Sequence, residues 1–375
     1  MEFTPSQLKW QESFSLFVDR ELIPVAEQND REEKISAELL QKVADAGYLG
    51  SMLPQDYGGL GLDMVTVGLL NEEIGRGCSS VRSLLTVQGM VALAILKWGT
   101  PEQRDKWLRK LARGEVIGAF SLTEPTVGSD AKNITMSATL EQDEYVLNGT
   151  KKWTTMGQIA DLFLVFAQVE GLPTAFLVER DNIGLEIKPI EGLLGARASM
   201  IAEIDFKNCR IPKGNLVGSL GTGLSHVALA SLDYGRFTIA WGCVGLGQAC
   251  LNASLKYARK RKQFGASLRQ HQLIQKMITG MVTNIKAARA LCHHAASLKE
   301  AGEPDSIMET WVAKYFASTM VSKVASDAIQ IHGANGFSRE YHVERFYRDS
   351  KVNEIIEGTN EMHEILIATY AFRNI

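Results

Sequence analysis

The chain has 375 residues, enough for two or three domains, and 45% of them are hydrophobic. Its 40 basic and 43 acidic residues give a formal net charge of −3. This balance argues against a nucleic-acid partner, which usually requires a basic excess. Five cysteines stand at irregular spacings without a C-x-x-C pair, so the sequence indicates reduced thiols rather than a disulfide framework or a zinc site.

The N-terminal segment MEFTPSQLKWQESF is polar and lacks the basic and apolar regions of a signal peptide. The most apolar stretches, such as residues 84–96, are too short and too interrupted to predict a transmembrane helix. We therefore expect a cytoplasmic protein that does not bind a membrane.

The first part of the chain, residues 1–116, predicts a helical domain. Two segments, TPSQ at residues 4–7 and TPEQ at 100–103, combine a capping box with proline at the first helical position. Between them, ISAELLQKVADAG has apolar residues at helical spacing and ends on a glycine, where a helix would stop.

Residues 117–224 have a different pattern, which predicts a middle antiparallel β domain. Short apolar or alternating runs, such as DLFLVFAQV and TAFLVER, recur between turn residues. Within this region the Asn148-Gly149 pair predicts a β-hairpin turn.

Residues 225–375 return to helical periodicity over 225–299, 306–331 and 352–370, which predicts a helical bundle. Helices and strands that are segregated along the chain indicate an α+β multidomain protein rather than an alternating Rossmann sheet. In agreement, the sequence contains no G-x-G-x-x-G, P-loop or G-x-S-x-G motif.

Cys292-His293-His294 could suggest a metal site. The three residues lie within a helical stretch, where adjacent side chains point in different directions. We therefore interpret them as ordinary helix residues and expect no metal.

The segment SLTEPTVGSD, residues 121–130, follows an apolar run at the start of the β region. Its hydroxyl groups and backbone amides suit a polar heterocycle or a phosphate. A structural turn capped by Ser129 and Asp130 explains the same residues equally well.

The segment EIIEGTNEMHEI, residues 354–365, carries four carboxylates at helical intervals, a pattern typical of a solvated helix face. Glu357 differs from the other three because Gly358 and Thr359 follow it directly, and glycine permits an irregular turn or a close approach to a ligand. A carboxylate at such a break, beside two isoleucines, is a candidate general base.

Taken together, seven segments in order resemble the acyl-CoA dehydrogenase family across nearly the whole chain: TEPTVGSD at 123–130, NGTKKWTT at 148–155, LDYGR at 232–236, RKQFG at 261–265, HQLIQ at 271–275, QIHGANGF at 330–337 and EIIEGTNE at 354–361. The resemblance implies an N-terminal helical domain, a middle β domain and a C-terminal four-helix bundle. It also implies FAD bound between the β domain and the bundle, with a neighbouring subunit completing the site in a homodimer or homotetramer.

The resemblance assigns flavin contacts to one subunit's β domain: Phe120, Leu122, Thr123, Gly128, Ser129, Trp153 and Thr155. It assigns the pyrophosphate and adenine side of FAD to a second group, part of it from the adjacent subunit: Arg261, Gln263, Phe264, His271, Gln272, Gln330, Gly333, Ala334, Thr359 and Glu361. Glu361 departs from the glutamine that many members have.

By the same resemblance, Glu357 is the base that removes the α-proton of an acyl thioester, while the β-hydride goes to flavin N5. Some members carry the base just before the arginine of LDYGR, and that position is Gly235 here, which has no side chain to act as a base. Residues of the thioester site would be Ser129, Asp233, Arg236, Gly358 and Arg82.

Arg82 stands in an SSVRSLLTVQG context similar to glutaryl-CoA dehydrogenases, where an arginine pairs with the distal carboxylate of the substrate. A structural ion pair or a surface arginine is the alternative interpretation. The segment DYGRFTIAWGCVG also resembles dehydrogenases of polyketide extender-unit pathways, which act on small polar acyl groups carried on an acyl carrier protein.

The resemblance leaves several functions open. The enzyme could pass electrons to an electron-transfer flavoprotein, either in extender-unit biosynthesis or as a short-chain or glutaryl-type acyl-CoA dehydrogenase of catabolism. It could instead be an oxidase or monooxygenase on the same fold, or a catalytically silent protein that retains FAD.

Overall fold

The computed structural model describes residues 3–373, and its N-terminal part is helical. The capping boxes at Thr4 and Thr100 are both present, each closed by a glutamine three residues later. A π-helical turn over Val18–Leu22 joins the first two helices. The helices of this part are α1 (Pro5–Phe17), α2 (Ile23–Glu32), α3 (Ala37–Asp45), α4 (Met64–Gly77), α5 (Ser79–Trp98) and α6 (Pro101–Ala112).

Helix α5 is longer than the sequence interpretation allowed. Its 20 residues are apolar enough to cross a membrane by length and composition, and it is the only such helix among residues 3–373. Of its most apolar 18-residue window, 94% is buried inside the protein. The apolar residues of this helix therefore pack the core between the other elements.

The middle part is one eight-stranded sheet in the order β6-β7-β3-β2-β4-β5-β8, with β1 beside β4. Most neighbours are antiparallel, as predicted, but β1 and β4 pair in parallel and β2 meets β4 in parallel at one point, so the sheet is mixed. The strands are β1 (Gly118–Ser121), β2 (Ser137–Glu141), β3 (Glu144–Thr154), β4 (Leu162–Val169), β5 (Leu172–Glu179), β6 (Leu185–Pro189), β7 (Ala202–Pro212) and β8 (Leu216–Val217).

The hairpin turn predicted at Asn148-Gly149 was wrong, because both residues lie inside β3. Gly149 has a φ of 144°, and a Cβ there would lie 2.9 Å from the Cα of Met136. The glycine thus permits a close approach of neighbouring backbone, where the β3–β7 register shifts. The turn between β2 and β3 instead uses Gln142, with a left-handed φ of 56°, and Asp143.

The C-terminal part is helical, but two of its predicted continuous stretches are interrupted. A small hairpin, β9 (Lys262–Gln263) and β10 (Ala266–Ser267), separates the first two helices. A turn over residues 353–359 separates the last two. The helices are α7 (Leu229–Lys260), α8 (Gln272–Ala301), α9 (Ser306–His332), α10 (Val343–Val352) and α11 (Asn360–Arg373).

Glycines allow α7 to pack closely against the N-terminal helices. A Cβ on Gly75 of α4 would lie 2.6 Å from the carbonyl oxygen of Gly242 on α7, and one on Gly68 would lie 2.3 Å from the indole of Trp241. Trp241 is fully buried in a core that includes residues of both the N-terminal helices and the bundle. The first half of α7 also packs against α5, since a Cβ on Gly235 would lie 3.1 Å from Sδ of Met90, and the candidate site lies there.

Candidate active site

The turn between α10 and α11 places Glu357 in an unusual backbone conformation. Its φ is 56° and that of Gly358 is 92°, so both residues are left-handed, which is uncommon for a residue with a side chain. The residue is only partly exposed, and its Oε2 is buried without a hydrogen-bond partner in the described part of the chain. Local strain beside an unpaired buried carboxylate oxygen is typical of a functional site.

The environment of Glu357 raises the pKa of its carboxyl group to about 7. Burial is the main cause, because it disfavours the ionised form, and the positive charges of Arg236, Arg82 and Lys314 oppose the shift. A carboxylate with a pKa near neutrality can accept a proton and still be ionised at neutral pH. The site therefore contains a group suited to general-base catalysis.

Gly235 of α7 lies directly against this carboxylate. A Cβ built on Gly235 would be 2.4 Å from Oε2 of Glu357 and 2.7 Å from its Cδ. The two positions at which the family resemblance locates a base are thus adjacent in space although they are far apart in the chain. Here one supplies the carboxylate and the other supplies the room for it.

Arg82 of α5 is 3% exposed, and in the described part of the chain its guanidinium bonds only hydroxyl groups. It donates to Oγ1 of Thr86 at 3.1 Å and to Oγ of Ser83 at 3.0 Å. Among residues 3–373 no carboxylate oxygen lies within ion-pair distance of it. This environment agrees neither with a surface arginine nor with a structural ion pair. Burial lowers the pKa of the guanidinium, because it disfavours the charged form.

Asp233 and Arg236 lie on α7, on either side of Gly235 in the sequence. Asp233 pairs with Lys299 of α8, and the other oxygen of its carboxylate is buried without a partner in the described residues. Arg236 is 8% exposed, and its Nε donates to the carbonyl oxygen of Glu357 at 3.0 Å. Lys299 had no signal in the sequence, since its contact joins residues on two different helices.

The β-domain residues assigned to flavin form one group around β1 and β3. Phe120 is half-buried and Leu122 buried, whereas Gly128 and Ser129 are exposed. The hydroxyls of Thr123, Ser129 and Thr155 have no hydrogen-bond partner in the described residues. Ser129 therefore does not cap a turn, although Asp130 does accept from the side chain of Asn133 at 2.6 Å.

A buried ion pair that the sequence interpretation missed fixes these two segments together. Lys151, fully buried, donates to Oε1 of Glu124 at 2.8 Å and to the carbonyl oxygen of Leu122 at 2.9 Å. Glu124 also accepts from Thr135 and from the backbone N–H of Met136. The signal was a glutamate and a lysine inside two of the family motifs, but their pairing needed the fold.

Two aromatic residues are held at the surface in left-handed conformations. Trp153 is 50% exposed with a φ of 63°, and Phe264, in the β9–β10 hairpin, is 97% exposed with a φ of 51°. Exposed aromatic rings and free hydroxyls fit a planar, polar cofactor, and the exposed Phe264 fits one whose site is completed by a second subunit.

The remaining residues assigned to the adenine side lie mostly at the surface of the bundle. Arg261, Gln263, Gln272, Gln330, Gly333, Ala334 and Glu361 are exposed, while His271 and Thr359 are partly buried. His271 Nε2 contacts the carbonyl oxygen of Gln263 at 3.2 Å, and Thr359 Oγ1 accepts from the N–H of Met362 at 3.3 Å. Among residues 3–373 there is no group of three His, Cys, Asp or Glu side chains that could hold a metal ion.

The fold and the site together define a class of enzyme. A helical domain, a β domain and a helical bundle meet around a carboxylate base, and surface aromatic residues suit a planar redox cofactor. Together with the family resemblance of the sequence motifs, this arrangement is that of flavin-dependent oxidoreductases that remove a proton from carbon.

Comparison with known proteins identifies the family. Models for the N-terminal, middle and C-terminal domains of acyl-CoA dehydrogenases match residues 4–115, 119–209 and 221–371. The mitochondrial short-chain specific acyl-CoA dehydrogenase of Rattus norvegicus is 38% identical over 365 residues, which cover 96% of this chain and 88% of that protein. The chain therefore belongs to the acyl-CoA dehydrogenase family, and it is an FAD-dependent oxidoreductase acting on CH–CH bonds.

Solved structures from different branches of the family resemble this chain to a similar degree. A glutaryl-CoA dehydrogenase in complex with glutaryl-CoA has a TM-score of 0.96 at 33% identity, covering 99% of this chain and 96% of that one. The prolyl acyl carrier protein oxidase AnaB has a TM-score of 0.94 at 31% identity, covering 99% and 100%. FkbI, for biosynthesis of the methoxymalonyl extender unit of the Fk520 polyketide, has a TM-score of 0.88 at 32% identity, covering 97% and 99%.

Proposed function

We propose that this enzyme dehydrogenates a small acyl thioester whose acyl end carries an anionic or strongly polar group, presented on an acyl carrier protein in extender-unit biosynthesis. The observation that carries the proposal is Arg82, a buried guanidinium beside the base with no carboxylate partner in the described chain. A buried cation without a counter-charge is unfavourable in the free protein. A substrate carboxylate would supply the missing partner.

The chemistry at the base follows from the groups around it. Glu357 takes the α-proton, and the electron pair of that C–H bond moves onto the thioester oxygen. The backbone N–H groups of Glu357 and Gly358 make no hydrogen bond in the described protein, so they are available to that oxygen. Each such oxyanion contact contributes roughly 3–4 kcal/mol to transition-state stabilisation. FAD, when bound, supplies the acceptor for the β-hydride.

Arg82 and α7 together favour a small, polar acyl group. A Cβ on Gly242 would lie 2.6 Å from Cδ of Arg82, so the glycine in the AWGCVG segment makes room for the arginine of SSVR. The SSVR and AWGCVG segments are therefore in direct contact. An arginine fixed in this way can pair with a carboxylate through two parallel hydrogen bonds.

The choice of carrier rests on likeness to the prolyl acyl carrier protein oxidase and to FkbI, together with these two segments. We further propose a homodimer or homotetramer, because the exposed Phe264 and its neighbours would complete the FAD site of another subunit. A cytoplasmic location is also proposed, from the sequence alone. An electron-transfer flavoprotein is the proposed acceptor of the electrons.

The test is anaerobic bleaching of the visible flavin band by a panel of thioesters. The panel contains small hydroxyacyl and aminoacyl groups, glutaryl and butyryl. Each acyl group is tested both on acyl carrier protein and on CoA. We expect fastest bleaching by a carrier-bound polar acid and none in E357Q. Fastest bleaching by glutaryl-CoA or butyryl-CoA would replace the proposal with a catabolic dehydrogenase, and a purified protein that binds no FAD would reject it entirely.

A second candidate, an oxidase, is favoured by the likeness to the prolyl acyl carrier protein oxidase. Stopped-flow reoxidation of the reduced flavin by oxygen separates the two. Reoxidation by oxygen at the turnover rate would identify an oxidase, whereas slow reoxidation that an electron-transfer flavoprotein accelerates would identify a dehydrogenase.

A further inference from the structure

Three consecutive carbonyl groups in the turn that carries the base are each held by a different side chain. Arg236 Nε of α7 donates to the carbonyl oxygen of Glu357 at 3.0 Å, and Lys314 Nζ of α9 donates to that of Gly358 at 2.7 Å. His363 Nδ1 of α11 lies 2.9 Å from the carbonyl oxygen of Thr359. A carbonyl only accepts, so this ring nitrogen carries the proton.

Because a peptide unit is planar, Arg236 fixes the N–H of Gly358 by holding the carbonyl oxygen of Glu357, and Lys314 fixes the next peptide unit through the carbonyl oxygen of Gly358. The N–H groups of Glu357 and Gly358 have no partner in residues 3–373. Ile356 still belongs to the preceding helical turn, since its N–H donates to the carbonyl oxygen of Val352 at 3.1 Å, and Glu357 then turns left-handed. Such a right-then-left sequence directs successive N–H groups toward one point and forms an anion-binding concavity.

Lys314 brings a positive charge to this turn that its hydrogen bonds alone do not require. It is fully buried and has no carboxylate oxygen within ion-pair distance in the described chain. Its second hydrogen bond goes to Oδ1 of Asn360 at 3.2 Å, which Ser318 Oγ also contacts at 2.7 Å. A neutral donor could bond the same oxygens, whereas a buried ammonium is costly unless a negative charge forms nearby.

We propose that Lys314 is a positioning residue of the dehydrogenation: it anchors Gly358 through its carbonyl oxygen, beside the free N–H groups of Glu357 and Gly358, and its charge stabilises the enolate formed there. This inference rests on the proposed role of Glu357 as the base. Lys314 exchanges no proton in the step. The α-proton moves to Glu357, and the negative charge passes from the carboxylate to the thioester oxygen, which the free N–H groups of Glu357 and Gly358 and the charge of Lys314 would stabilise.

The test uses a 3-thia acyl thioester, in which sulfur replaces the β-carbon. This analogue can lose its α-proton but has no β-hydride to transfer, and its enolate gives a charge-transfer band with oxidised flavin. In K314M we expect the pH midpoint of enolate formation to rise and the enolate to bind about 10- to 100-fold more weakly. Binding of the neutral enoyl product should change less than about 2-fold, since it presents no enolate charge.

Three further variants separate the effect of charge from an effect on folding. K323M makes the same substitution on α9 at a lysine whose only partner among residues 3–373 is Asp327, and it should behave as the wild type. K314R should recover part of the enolate binding. K314Q, which has a neutral donor, should keep FAD and thermal stability but lose the enolate binding. Equal weakening of both ligands in K314M, or an unchanged midpoint, would reduce Lys314 to a structural residue.

The same titration with E357Q separates the proposed function of the enzyme from the proposed role of Lys314. If E357Q still forms the enolate, the proposed function fails whatever K314M does. If E357Q abolishes the enolate while K314M forms it at the wild-type midpoint, the proposed function stands and only the role of Lys314 is rejected.

Discussion

The carboxylate of Glu357 lies directly against the backbone of Gly235 in the candidate active site. A side chain on Gly235 would begin 2.4 Å from Oε2 of Glu357, well inside van der Waals distance. The glycine is therefore required by the position of the carboxylate, and it lies on the helix that also supplies Arg236.

We expect G235A to lower the rate of flavin reduction about 10- to 100-fold, because the added methyl group must displace the carboxylate from the α-carbon of the substrate. FAD content should stay near that of the wild type, since the substitution lies within a helix that carries none of the residues assigned to the cofactor. Rapid-mixing measurement of flavin bleaching gives the rate, and an unchanged rate would show that the carboxylate has other room.

The adjacency also predicts that the base can be moved. E357G should lose activity. The double variant G235E/E357G should regain part of it, because the new side chain on α7 would place its carboxylate in the space that Glu357 leaves. The single variant G235E, with two carboxylates in one buried space, serves as the control and should be the least stable of the three.

The raised pKa of Glu357, about 7, predicts the pH dependence of catalysis. The rate constant for flavin reduction at low substrate should fall about tenfold per unit below pH 7 and level off above it. Arg82 lowers the pKa of this carboxyl group through its positive charge, so R82M should move the midpoint upward. A midpoint near 4.5 in the wild type would contradict the buried environment.

The same shift has a consequence for stability. Because the folded-state pKa of Glu357 lies above its ordinary value of 4.5, folding favours the protonated carboxyl group, and its contribution to the free energy of unfolding falls as pH rises from about 4.5 to 7. E357Q should therefore raise the melting temperature relative to the wild type at pH 8 and leave it nearly unchanged at pH 4.5.

Arg82 predicts opposite effects on stability and specificity. R82M removes a buried charge whose hydroxyl partners keep other bonds, since Thr86 Oγ1 also contacts Thr238 and Ser83 Oγ bonds the carbonyl oxygen of Ser79. The free energy of unfolding should rise by about 1 kcal/mol. The ratio of kcat/KM for an anionic over a neutral acyl thioester should fall by about 100-fold or more, and an unchanged ratio would reject the role of Arg82.

The buried Glu124–Lys151 pair predicts a non-additive response. K151M leaves Glu124 buried without its cation and should lower the free energy of unfolding by about 3–5 kcal/mol. The double variant E124Q/K151M should be less destabilised than K151M, since a neutral amide in place of the carboxylate needs no counter-charge. FAD release should be faster in both, because the pair joins the segments of Leu122 and Trp153, and additive losses in a double-mutant cycle would contradict coupling.

Phe264 predicts that cofactor retention and stability can be separated. Glycine accepts the φ of 51° at this position without strain, so F264G should not lower the melting temperature of the apoprotein. It should accelerate FAD dissociation and weaken self-association, measured by dialysis and by sedimentation-velocity ultracentrifugation. Unchanged FAD dissociation would show that this ring does not reach a neighbouring site.

Local sequence patterns were sufficient for much of the architecture. Capping boxes at Thr4 and Thr100 and the change from period 3.6 to short strands predicted the three-part α+β fold, because such signals act over a few residues. The same patterns failed at Asn148-Gly149, where the glycine permits close contact with Met136, the residue just before β2. They also failed at residues 225–299, where two left-handed residues, Phe264 and Gly265, interrupt the helix.

The sequence alone predicted the family, which the comparisons confirm, and the candidate base, because the ordered motifs and the carboxylate before Gly358 each lie within a few consecutive residues. Only the tertiary structure decided how that carboxylate works. Burial sets its pKa, Gly235 makes its space, and Arg82 and Lys314 supply charge from other helices. These effects depend on distance through space and on exclusion of water, and neither quantity is encoded in the spacing of residues along the chain.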